Sequence, residues 1–157
     1  MAKKIIVDLD IVTMALWNKK GEDTQLARRF INRVEEGEFD VVTPFVMLEL
    51  LTRWKYSALV ENIQQFYLKN TKVFITNEDI DKKLDLLNVD DKKVLSALKA
   101  AGVKGEDALL ALITSIFEID CLVTFNRKHL KSKRERINGV LTENGVKTVR
   151  IIGPEDA

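Results

Sequence analysis

Short runs of β-branched residues alternate with stretches in which apolar residues recur every three or four positions, and this alternation constrains the fold more than any other feature of the chain. Strand-length runs separated by helix-length periodic segments are the pattern of βαβ units, which close a parallel sheet between layers of helices. Residues 4–7, 39–42, 72–75, 120–124 and 147–152 read as strands. Between them Leu26, Ala27, Phe30, Ile31 and Val34 share one helical face before Gly37. Pro44 fits a first helical turn, and Val46, Met47, Leu50, Leu51 and Trp54 continue at helical spacing after it. Further helices are predicted over 60–67, from a cap at Thr76 to Leu87, and through Val94, Leu95, Leu98 and Ala101. Residues 107–117 are apolar on nearly every side, which predicts a helix packed deep in the domain. The expected architecture is one α/β domain over residues 1–157, a three-layer α/β/α sandwich on a parallel sheet of four or five strands, with a basic extended segment at about 127–147.

At 157 residues and 46% hydrophobic, such a domain buries enough surface to fold without cross-links or a structural metal. Cys121 is the single cysteine, which excludes a disulfide framework and a cysteine-based zinc cluster; it is expected to be buried and inert. No apolar run approaches the roughly 20 residues of a membrane span, and the run before the first acid is too short for a signal peptide. The expectation is a soluble cytoplasmic protein with no membrane partner. A net charge of +1 announces no polyanionic partner by itself. Residues 126–138, however, gather six Lys and Arg beside one Glu. That is a solvated face if isolated, and a footprint for phosphates if an active site lies next to it.

In open parallel sheets the functional crevice lies beyond the carboxyl ends of the strands, so acids placed there carry the most information. Asp8 and Asp10 follow the first strand, Glu49 sits about one turn into the helix after the second, Glu106 and Asp107 open the buried helix, and Asn126 follows the fourth strand. Asp10 would serve as the N-cap of a helix through Met14, and Glu106 and Asp107 would complement a helix dipole. Asp8 ends a buried strand, and Glu49 is flanked by apolar residues. An acid so placed must be paired, protonated or bound to a cation. Converging carboxylates with neither a cysteine cluster nor a second histidine point to Mg²⁺ or Mn²⁺, and the matching chemistry is phosphodiester hydrolysis. Nucleic acid is then the natural substrate for the neighbouring basic segment.

These residues resemble those of PIN-domain ribonucleases, and within them the VapC-type toxins. Residues 5–12, Ile-Ile-Val-Asp-Leu-Asp-Ile-Val, are similar to the family's first strand, its invariant Asp and the following helix start. Residues 43–50, Thr-Pro-Phe-Val-Met-Leu-Glu-Leu, look like its second motif; residues 105–111, Gly-Glu-Asp-Ala-Leu-Leu-Ala, its third; and residues 123–130, Val-Thr-Phe-Asn-Arg-Lys-His-Leu, its fourth. Asn126 stands where many members carry Asp and others Asn. The stretch 131–147 is longer than the usual link before the last strand. The resemblance implies an endoribonuclease, the toxin of a toxin–antitoxin pair, in which Asp8, Glu49 and Asp107 hold Mg²⁺ or Mn²⁺ and Asn126 completes the catalytic set. Thr124, Asp10 and Glu106 then support them from behind. It also implies a homodimer and an antitoxin partner. Arg127, Lys128, Lys131, Lys133, Arg134 and Arg136, carried on a helix starting at Asn126, are expected to contact RNA phosphates.

Two other readings stand beside this one. Asp8 and Asp10 also resemble the opening motif of haloacid-dehalogenase-type phosphatases, which needs a Ser or Thr such as Thr43, a Lys such as Lys72 or Lys104, and acids after a later strand. A catalytically silent module binding RNA or protein is the third. His129 reads as a surface residue or phosphate contact. Trp17, Trp54 and Tyr56 have the chemistry to stack on bases, but apolar neighbours favour partial burial in a core or a dimer interface.

Overall fold

The first strand, β1 (Lys3–Val7), ends in three fully buried residues, Ile5, Ile6 and Val7, and occupies the centre of the sheet. A strand with neighbours on both edges and helices on both faces has no solvent side, so its last three residues form a continuous apolar run after the exposed Lys3 and Lys4. The computed structural model of the protein describes residues 2–17, 20–55, 57–126 and 130–157. Its five strands are all parallel in the order β3-β2-β1-β4-β5, with β2 at Phe39–Pro44, β3 at Thr71–Ile75, β4 at Cys121–Val123 and β5 at Ile151–Ile152.

Among the described residues eight helices complete the layers: α1 (Leu9–Leu16), α2 (Glu22–Glu35), α3 (Phe45–Glu49), α4 (Ser57–Asn70), α5 (Asn77–Leu87), α6 (Asp91–Ala100), α7 (Gly105–Ile116) and α8 (Arg134–Glu143). On one side α1 packs against α2 and α4; on the other α7 packs against α5, α6 and α8. Right-handed crossovers explain this division, because the chain steps from β1 out to β3 along one face and then crosses to build β4 and β5 along the other. The three-layer α/β/α sandwich with a parallel sheet is the architecture expected from the sequence. In α7, Ala108 and every residue from 110 to 116 are buried, as a helix apolar on nearly every side requires, and the hydroxyls of Thr114 and Ser115 donate to the carbonyls of Leu110 and Lys147. Tyr67 of α4 is fully buried and donates its hydroxyl to the carbonyl of Val7 at 2.6 Å, tying α4 to the end of β1. Cys121 is buried, and burial raises its thiol pKa. Among the described residues no helix is long and apolar enough to cross a membrane.

Two local expectations are corrected. The helix after β2 runs only five residues before tightening into a 3₁₀ turn at Leu50–Arg53. The fifth strand is two residues long, because Asn138 of α8 takes both backbone groups of Val149 (2.7 and 3.0 Å) before the ladder to β4 begins. In the basic segment a 3₁₀ turn occupies Lys131–Lys133 and α8 starts at Arg134, while residues 127–129, where a helix from Asn126 was expected to run, lie outside the described residues.

Candidate functional site

The strand order reverses direction between β1 and β4, and a sheet opens a crevice at such a switch point, beyond its carboxyl ends. A cavity of about 500 Å³ lies there. Asp8 and Asp10 line it from the start of α1, Glu106 and Asp107 from the first turn of α7, and Asn126 from the segment after β4. Leu50, Arg53 and Trp54 border it after α3, and Thr13, Met14 and Trp17 from α1.

Asp8, not Asp10, is the N-cap of α1: its Oδ1 accepts from the Leu9 amide at 2.8 Å. Asp10 lies in the first turn and is thereby turned toward β4, where the Phe125 amide donates to its Oδ2 at 3.2 Å. Thr124, fully buried, joins the two acids. Its hydroxyl lies 2.8 Å from Asp8 Oδ2 and 3.2 Å from Asp10 Oδ2, and it accepts from the Asn126 amide at 2.9 Å. A hydroxyl has one proton to donate, so the shorter contact to Asp8 takes it when both carboxyls are ionised. On the far wall the Asn126 side-chain amide donates to Asp107 Oδ2 at 3.0 Å.

The electrostatics follow from this crowding. Burial foremost, then the charge of Asp10, raises the Asp8 carboxyl from 3.8 to about 7, against the lowering effect of the Thr124 hydrogen bond. Burial also raises Asp10, to about 6, although the Phe125 and Thr124 hydrogen bonds oppose it. The charge of Asp107 raises both. The two acids titrate as a pair. Glu106 is exposed and lies 3.8 Å from an equally exposed Arg53, a contact worth little in water.

Asp8, Asp10, Glu106, Asp107, Asn126 and Thr124 are therefore brought together as expected, whereas Glu49 is not. Glu49 is exposed at the end of α3 and does not line the cavity. Met47 and Leu51 set the buried face of this turn, and Glu49 between them lies about 200° around the helix from either. That spacing was already in the sequence and outweighs the apolar neighbours from which a shielded acid was inferred. The basic segment also departs from expectation. Lys133 donates to the Gly102 carbonyl at 2.6 Å, Arg134 to the Ile151 carbonyl at 3.2 Å, and Lys131 lies 3.5 Å from Glu155. Arg136 is exposed in α8, and none of these four borders the cavity. Arg127, Lys128, His129 and Tyr56 lie outside the described residues. Arg53 was missed, having no motif around it. Trp17 and Trp54 are partly buried, as expected, and both border the cavity.

Oxygen donors from three aspartates and an asparagine suit a hard divalent cation. As placed, no group of three or more Asp, Glu, His or Cys side chains among the described residues is arranged to hold a metal ion. No protein-family model matches the chain, and no curated protein matches it.

Proposed function

We propose that the chain is a divalent-metal-dependent endoribonuclease of the PIN-domain kind, acting as a VapC-type toxin. The observation that carries this reading is the Asp8–Asp10 pair, two carboxyls lifted toward neutrality in a cavity that also takes in Asp107 and Asn126. Carboxylates crowded without compensating charge favour the binding of a cation. Asp8, Asp10 and Asp107 would hold Mg²⁺ or Mn²⁺, with Asp10 in the part the resemblance gave to Glu49. Once bound, the ion supplies charge stabilisation at the phosphodiester and a more acidic water. The chain's own groups do the positioning. Thr124 orients Asp8, the Phe125 amide orients Asp10, and Asn126 orients Asp107.

The phosphatase reading has less support. Thr43 is fully buried, with its hydroxyl 2.7 Å from that of Thr71, and neither Lys72 nor Lys104 lines the cavity. The test is cleavage of single-stranded RNA with Mg²⁺ or Mn²⁺. Chelator is expected to abolish cleavage, and Asp107→Asn to reduce it about a hundredfold or more in a protein that stays folded. Undiminished cleavage in chelator, or phosphomonoester hydrolysis with no RNA cleavage, overturns the reading. The homodimer and the antitoxin belong to the same proposal, and solution mass and co-purification with the product of an adjacent reading frame test them.

A further inference from the structure

The chain has two tryptophans, Trp17 and Trp54, and both line the cavity that holds Asp8 and Asp10. They reach it from separate places in the sequence. Trp17 terminates α1, and Trp54 terminates the 3₁₀ turn after α3. Arg28 donates to the carbonyls of Ala15 (3.1 Å) and Trp17 (3.5 Å), which fixes the backbone under the first indole. The two residues are 38% and 37% exposed, so each is partly packed and partly open to solvent. Large aromatic side chains left in water cost free energy, and two of them at one cavity beside the acids mark a binding surface more than an accident of packing. Neither indole can hold a cation through oxygen or nitrogen lone pairs or move a proton, so the chemistry proposed above leaves both unused. Arg53, next to Trp54, lines the same cavity, and its loose contact with Glu106 is one that a phosphate oxygen can displace.

We propose that Trp17 and Trp54 form a stacking subsite for an unpaired nucleobase adjoining the phosphate held at the acidic floor, with Arg53 on the neighbouring phosphate. The assignment of the floor rests on the nuclease reading; the aromatic subsite has its own test. Every base offers a π-face, so stacking selects unpaired strands without selecting sequence. A duplex keeps its bases stacked on one another, so its bases are not available to the indoles. The substrate class is thus a flexible single strand or loop.

With no other tryptophan in the chain, fluorescence excited beyond the tyrosine absorption band reads this cavity alone. The experiment titrates the full-length protein, with Ca²⁺ in place of Mg²⁺, against a single-stranded RNA decamer, its blunt duplex and an abasic strand of equal length. The decamer is expected to quench the emission and to bind about tenfold or more tightly than the other two. Trp17→Ala and Trp54→Ala should each weaken decamer binding about 5- to 100-fold and leave abasic-strand binding unchanged. Phe at either position should restore most of the affinity, with circular dichroism confirming that all variants are folded. Equal affinity for the three strands, or Ala variants that bind the decamer as the parent does, overturns the subsite. Quenching by an apolar peptide with none by RNA also overturns it and makes the cavity a peptide site. Quenching by the decamer without cleavage in Mg²⁺ upholds the subsite and removes the nuclease. Cleavage without quenching removes the subsite alone.

Discussion

The Asp8 carboxyl caps α1 with one oxygen and takes the Thr124 hydroxyl with the other, yet burial and the charge of Asp10 work against its ionisation. Asp8 and Asp10 both sit above their unfolded value in the folded protein. A group with a raised folded-state pKa stabilises the fold below its unfolded pKa, and that contribution is lost as pH rises through the folded pKa. In chelator, the pair's contribution is therefore complete below about pH 4 and lost as pH climbs toward about 7. Asp79 and Glu118 have lowered pKa values and act in the opposite direction, in the more acidic range. Urea midpoints measured in chelator should thus fall between about pH 5 and pH 7.5, and Asp8→Asn should flatten that fall and raise the midpoint at neutral pH. An unchanged slope in Asp8→Asn would contradict the crowding described here. At this scale the sequence marked Asp8, Asp107 and Asn126 by their places after strands and at a helix start. It put the cap of α1 at Asp10 where Asp8 takes it, because both fit the local pattern and the choice depends on how Thr124 and Phe125 approach from β4.

The element scale is where the basic segment changes meaning. Helix α6 ends at Gly102, whose φ of +88° belongs to the left-handed region that glycine occupies without strain. The Val103 amide reaches back to the Leu98 carbonyl and the Gly102 amide to that of Lys99, both at 2.9 Å, closing a Schellman turn. Lys133 then places its ammonium on the Gly102 carbonyl, putting a cation at the negative end of the helix. Lys133→Met should cost about 1 kcal/mol, or about 2–4 °C in melting temperature, and leave RNA affinity at constant salt unchanged. Weakened RNA binding with no loss of stability would restore the phosphate-contact assignment. A run of cations in a sequence does not show its partners, since backbone carbonyls that accept from Lys133 and Arg134 come from segments about 31 and 17 residues away. The shortness of β5 has the same origin, because the competing partner for Val149 is the side chain of Asn138 on a helix.

For the whole molecule, a ligand that binds only the folded state raises stability with its concentration over Kd. At 100 times its Kd, a divalent ion at the carboxylate cluster adds about 2.7 kcal/mol. For a chain of this size that is roughly 5–11 °C in melting temperature. Thermal melts at pH 7.5 with Mn²⁺ or Mg²⁺ should show a rise of this order, shrinking toward pH 5 as the carboxyls take up protons instead. No shift with either ion at saturating concentration would separate this fold from divalent-metal chemistry.

The sequence by itself determined the class of fold, the deep burial of α7 and the convergence of acids at the carboxyl end of the sheet. These depend on periodicity and on the rule that parallel strands point their ends the same way, and both are local or topological. Only the tertiary structure decided that Lys133 and Arg134 bond the fold's own carbonyls, and that Trp17 and Trp54 both border the cavity beside the acids. Each of those outcomes is set by which distant segment arrives at a side chain, and spacing along the chain does not encode that arrival.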